Sequence, residues 1–145
     1  MERNNIAPFA DARQGTMFEG VLALPPTSLK SKFREAVASL SWEQRLAMWS
    51  PCTLPLKSLS DSVNRLGIAT DVYTFLSPDA IDPIEKWLIK KGISVPVFYY
   101  KDAGELAYDL VFNRAVRVVY TADQEDAKVL GIRSTVVSSD RAWSL

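Results

Sequence analysis

The chain has 145 residues, 48% hydrophobic and 23% charged, with 17 Lys plus Arg against 17 Asp plus Glu. That is enough for one domain with a sizeable core, and the zero formal charge offers no global field to recruit nucleic acid or an acidic membrane. No histidine is present, which excludes Ser-His-Asp and Cys-His machinery, a histidine base and histidine metal ligands; the single cysteine, Cys52, cannot close an internal disulfide.

From the start, MERNNIAPFADARQG has no continuous apolar core behind its charges, so no secretory signal is expected. No run approaches the ~20 apolar residues of a membrane span, and no membrane partner is expected. The expected location is the cytoplasm, or an assembly formed there such as a virion. Residues 1–26 show no sustained period and end in Pro25-Pro26, yet carry Phe9, Met17, Phe18 and the run VLAL. They read as an extended arm too apolar for a free tail, lying over the domain or a neighbouring subunit.

Residues 27–67 read as a helical segment. Thr27 or Ser28 caps a helix whose stripe is Leu29, Phe33, Ala36/Val37 and Leu40. Ser41-Trp42-Glu43-Gln44 is a capping box opening a second helix, with Trp42, Leu46 and Trp49 along one side and Pro51 as its stop. The two make a helical hairpin. Leu54-Pro55-Leu56 reads as a rigid connector, and Leu59, Val63 and Leu66 as a short helix closed by Gly67. Trp42 and Trp49 have two readings, packing against the second half or anchoring a partner chain.

Residues 68–145 alternate strand and helix, and 27–145 is expected to fold as one unit. Strands are predicted over 72–76, 95–100, 116–120 and 134–137. Between them, Asp82 with Pro83, Asp102 and Asp123 each stand where a helix wants its N-cap, and Gly92 and Gly131 close the first and third helices. The second helix is expected to bury Leu106, Ala107, Leu110 and Val111. Apolar strands, each followed by an amphipathic helix, indicate a parallel sheet covered on both faces. The fold expected is α/β, a three-layer Rossmann-like sandwich with about four parallel strands, preceded by the arm and the hairpin.

Right-handed crossovers put every strand-to-helix loop on one edge of such a sheet, where ligands bind. Ser77-Pro78-Asp79, Lys101-Asp102 and Thr121-Ala122-Asp123 fall there. Asp79, Asp123 and Asp126 could hold Mg²⁺, with Ser77, Lys101 and Thr121 at a phosphate. The other reading spends these acids on their own helices: Asp82, Asp102 and Asp123 as caps, Glu105 and Asp126 as acidic first-turn residues. Neither GxGxxG nor GxxxxGK[ST] occurs.

VVYTADQEDAKVLGIRSTVV resembles the last motif of haloacid dehalogenase-like proteins: a strand ending in a small residue and Asp, a second Asp soon after, and a helix finishing near Gly. The likeness spans residues 72–137. It implies a Rossmann-like fold, with Asp123 and Asp126 matching the acids that hold Mg²⁺. The family's first strand ends in Asp-x-Asp, whose first Asp attacks phosphorus. In VYTFLSPDAID that place reads Ser77-Pro78-Asp79, and a match slid back to DVYTF meets Asp71 and Tyr73. Where the second motif has Ser or Thr, Tyr100-Lys101 stands; the family's Lys is missing from residues 102–114, with Lys101 as its spatial substitute.

The function expected is a non-catalytic binding or assembly subunit on a degenerate haloacid dehalogenase-like domain, without a cofactor. Its partners are other protein subunits or copies of itself, through Phe9, Phe18, Trp42 and Trp49. The alternative is a small Mg²⁺-dependent phosphohydrolase using Asp79 and Lys101. Nucleic acid is not an expected partner: Phe98, Tyr99 and Tyr100 beside Lys101 lie in a sheet buried on both faces.

Overall fold

In the computed structural model, which describes residues 13–27, 31–113 and 115–143, the strand that organises the sheet is one the hydrophobic pattern does not announce. β1, Arg13–Met17, reads RQGTM. It lies at the centre of a five-stranded parallel sheet with β4 (Ala69–Thr74), β5 (Val97–Tyr99), β6 (Val116–Thr121) and β7 (Ser134–Val136), in the order β5-β4-β1-β6-β7. Arg13 to Met17 pair with Ala69 to Tyr73 on one side, and Arg13 to Thr16 with Val116 to Tyr120 on the other. The expected arm is therefore corrected from residue 13 onward, and four strands become five.

A polar central strand survives burial because its groups find partners across the ladder. Gln14 Nε2 donates to Thr70 Oγ1 at 3.1 Å. Arg13 Nη1 meets Asp71 Oδ1 at 2.9 Å, with the Asp71 side chain fully buried. After β1, Phe18, Val21, Leu22 and Ala23 are wholly inside the core. A two-residue strand, β2 (Ala23–Leu24), then pairs antiparallel with β3 (Ser50–Pro51).

The helices are α1 (Ser31–Ala38), α2 (Trp42–Leu46), α3 (Thr53–Ser60), α4 (Ile81–Ile89), α5 (Ala103–Asn113) and α6 (Gln124–Leu130). The chain steps from β1 to β4 to β5, then crosses back to β6 and β7. Right-handed connections thus set α3 and α4 on one face and α5 and α6 on the other. In agreement, α2 packs on α4, and α5 on α6. This is the Rossmann-like three-layer sandwich.

Local differences have local causes. Leu54-Pro55-Leu56 lies inside α3, not in a connector: Pro55 is its third residue, where no intrahelical acceptor awaits an N–H. α4 starts at Ile81 behind a 3-10 turn, Pro78–Ala80, so Ser77 takes the capping role expected of Asp82. The Ser41–Gln44 capping box is present in full, Gln44 N–H on Ser41 Oγ and Ser41 N–H on Gln44 Oε1. Val111 is exposed rather than buried. Phe9, Ser28 and Leu29 lie outside the described residues.

Candidate functional site

The order of the strands reverses between β1 and β6, the place where open α/β sheets form a crevice beyond the strand ends. A cleft of about 350 Å³ lies there, walled by Met17 at the end of β1 and Glu19 just after it, Phe75 after β4, and Thr121, Asp123 and Asp126 around the end of β6. Gly20 lets the β1 turn approach the β6 loop: its φ is +87°, and a Cβ there would come 3.3 Å from the Ala122 Cβ.

Glu19 reaches across this turn, and its Oε2 accepts the Phe75 N–H at 2.8 Å. Its other oxygen, Oε1, is buried without a hydrogen-bond partner. Burial pushes the carboxyl above its ordinary 4.5, opposed by the Phe75 amide and the Thr74 hydroxyl, and reinforced by the charge of Asp126. Asp123 caps α6, its Oδ1 accepting the Asp126 N–H at 2.9 Å, while its own N–H donates to Thr121 Oγ1 at 3.3 Å. Asp126 is also raised, by partial burial first and then by Asp123 and Asp102.

Of the residues singled out in the sequence, the cleft gathers Thr121, Asp123 and Asp126. Asp79 and Lys101 are exposed and line no part of it. Ser77 is turned onto the Asp79 amide at 3.1 Å. Asp102 accepts the Glu105 N–H at 2.9 Å, and Glu105 accepts the Lys101 N–H at 2.9 Å. The acids of that loop are spent on their own helix, as the capping reading expects. Sequence reasoning missed Met17 and Glu19; the available signal was the Glu19-Gly20 pair closing an apolar stretch.

These residues do not fit a carboxylate-held Mg²⁺. Among the described residues no three of His, Cys, Asp and Glu are grouped so as to hold an ion, and Asp123 and Glu19 each commit an oxygen to a backbone amide. Among the described residues no Lys or Arg lines the cleft, so a phosphate dianion would face Glu19, Asp123 and Asp126 there. Cys52 is buried, and burial pushes its thiol up, away from the thiolate a nucleophile needs.

A second cavity, about 420 Å³, opens between α1 and α2 and is predominantly apolar. Pro25, Pro26, Phe33, Val37, Trp42 and Trp49 form its walls, and among the described residues Arg34 and Arg45 bring charge to it. Arg45 stiffens it: the guanidinium sits 4.6 Å from the Trp42 ring centre and donates to the Ala38 and Leu40 carbonyls at 2.7 and 3.2 Å. Trp49 also packs on Phe18, ring centres 5.5 Å apart. Phe18 itself is fully buried between Trp49 and Trp87 and is a core residue, not an interface anchor. Trp42 and Trp49 are half-buried against the domain, as the packing reading expects, and line the open groove.

No protein-family model matches the chain, and neither a curated protein nor a solved structure does. No helix among the described residues is long and apolar enough to cross a membrane.

The acidic cleft carries a pH signature. Because the folded state holds the Glu19 proton above pH 4.5 and the unfolded chain does not, the folded state binds more protons in that window. Stability should fall as pH rises from 4.5 through the raised value, then level off. Asp126 acts with the same sign, starting from its ordinary 3.8. Exposed Asp140, lowered chiefly by the Ser138 hydroxyl, opposes weakly. Glu19→Gln keeps an acceptor for the Phe75 amide but no charge. In urea unfolding between about pH 4 and about pH 8, its loss of midpoint should be smaller than the wild type's; parallel curves would remove Glu19 as the cause.

Proposed function

We propose that the protein is a non-catalytic binding or assembly subunit on a degenerate haloacid dehalogenase-like body, which uses the α1/α2 groove to hold a segment of another protein chain. The observation that carries this reading is the groove itself: an open apolar cavity floored by two tryptophans, which favour interfaces because each gives large contact area for few lost rotamers. Arg45, whose guanidinium lies over Trp42, gives the described wall a positive charge. The matching ligand is an amphipathic segment with apolar side chains flanked by carboxylates.

The rim cleft supports the non-catalytic half. With Arg13–Met17 as the first strand, the family's Asp-x-Asp position falls on Met17-Phe18-Glu19. A thioether then stands where the phosphorus-attacking carboxylate would be, and it has no anionic oxygen to form a phosphoryl ester. Thr74, at the end of the second strand of the parallel sheet, suits the Ser/Thr of the second motif, but its hydroxyl is engaged with the Glu19 carboxyl as well as accepting the Leu76 N–H at 3.1 Å.

The test uses two synthetic helical peptides sharing one apolar face, one flanked by Glu and the other by Lys. The Glu-flanked peptide should perturb tryptophan fluorescence and bind about tenfold tighter, and Trp42→Ala should weaken it by about tenfold or more. Equal binding of the two peptides, or none, refutes the groove assignment. Mg²⁺-dependent hydrolysis of a generic phosphate ester, abolished by Asp123→Asn, would establish the enzymatic alternative instead.

A further inference from the structure

α5 has two apolar sides and buries only one. Ala103, Leu106 and Leu110 face the sheet and are at most 4% exposed. Tyr108, Val111 and Phe112, at i, i+3 and i+4, stand 67–69% exposed, and the Tyr108 and Phe112 rings touch with centres 4.9 Å apart. A helix that is apolar on both sides is ordinarily covered on both. α6, packed beside α5, adds exposed Val129, and Ile132 follows it fully exposed. Arg133 ties the two elements together, its Nη1 donating to the Leu110 carbonyl at 3.0 Å.

We infer that this α5/α6 face is the contact between two copies of the chain, in a two-fold dimer with the α5 helices antiparallel across the axis. A second copy fits this face better than another partner on three counts. The five side chains are uncharged, so the face can meet itself without setting like charges together, which a two-fold interface demands. The groove between α1 and α2, with two arginines, could not. Tyr108, Val111 and Phe112 alone present on the order of 400 Å², about half of the about 800 Å² that each partner of a standard interface buries, and Val129 and Ile132 are exposed on the segment packed beside them. Formal charge is balanced at 17 and 17, so no long-range repulsion separates the copies. A helix pair packed through i, i+3 and i+4 positions also lets Tyr108 of one copy fall near Phe112 of the other, extending the existing ring contact into a four-ring cluster.

This inference does not rest on the groove, and the two can fail separately. Light scattering on size-exclusion fractions of the full chain should give twice the chain mass at micromolar concentration. Val111→Glu with Phe112→Glu should raise the dimer dissociation constant by at least about a hundredfold, because the substitutions bury like charges at the centre of the contact. Both positions are exposed in the single chain, so its circular dichroism should hardly change while melting loses the concentration dependence that dimerisation gives, and Trp42→Ala should leave the dimer intact. As a second arm, Val111→Cys in a Cys52→Ser background should cross-link to a covalent dimer on mild oxidation, whereas Lys90→Cys, on the other face of the sheet, should not. A wild type that stays monomeric to several hundred micromolar overturns the inference, as does a dimer unaffected by the double substitution. Equal cross-linking at both cysteines also overturns it.

Discussion

A chain that begins at residue 27 should not fold. Removing residues 1–26 takes out β1, the strand to which both β4 and β6 are hydrogen-bonded, and leaves two facing rows of unpaired N–H and C=O groups in the middle of the sheet. It also removes Met17, Phe18, Val21, Leu22 and Ala23, all at most 2% exposed. At roughly 1.5–3 kcal/mol for each large buried side chain, the loss approaches about 10 kcal/mol, against a typical total stability of 5–15 kcal/mol. The expected result is insoluble protein, or a soluble species without near-ultraviolet dichroism or a cooperative urea transition. A sharp transition in the truncated chain, with a denaturant slope near that of the full chain, would show that the sheet closes without its central strand. The expectation that 1–26 form an extended arm lying over the domain or a neighbouring subunit implies the opposite outcome.

That reading failed for a physical reason that also explains what was legible. The later strands are short, apolar and bounded by caps, so their position could be read locally: 116–120 was expected where Val116–Thr121 forms, and 134–137 where Ser134–Val136 forms. Asp123, at the start of its helix, needed only its own neighbourhood to be placed as a cap. β1 is different. Arg, Gln and Thr belong in a buried strand only if something distant satisfies them, and the partners of Gln14 and Arg13 lie 56 and 58 residues away. Glu19 depends likewise on the Phe75 amide, 56 residues on. Val111 failed for another reason: with apolar residues on two sides of α5, helical periodicity cannot choose the inner one. The candidate site was thus half visible, its β6 side in the local pattern and its β1 side only in the folded sheet.

Gly15, in the middle of the unexpected strand, should be the least replaceable position of the sheet. A Cβ built there would stand 2.3 Å from Tyr73 Cε2 and 2.9 Å from Cζ, well inside contact distance. The backbone is ordinary extended strand, so the demand is for space alone. Nor can the ring yield easily. Tyr73 is fully buried, Tyr100 meets it edge-on at 5.8 Å and Phe98 packs at 6.5 Å. Its hydroxyl lies 3.5 Å from the buried carboxylate of Asp71, which holds Arg13. Displacing the ring therefore strains the aromatic cluster and crowds the ion pair at once. Gly15→Ala should cost about 3 kcal/mol, at the upper end of overpacking, and lower the melting temperature by about 10 °C; Gly15→Val should prevent folding. Tyr73→Leu alone should also destabilise, through the cavity it leaves, by about 2–4 kcal/mol. The decisive measurement is the double substitution. If the methyl group and the ring compete for one space, Gly15→Ala with Tyr73→Leu should be more stable than the sum of the single losses predicts, by about 1–2 kcal/mol. Strict additivity would mean that the alanine is accommodated by a shift of β1 itself, and that the tyrosine is not what keeps this position a glycine.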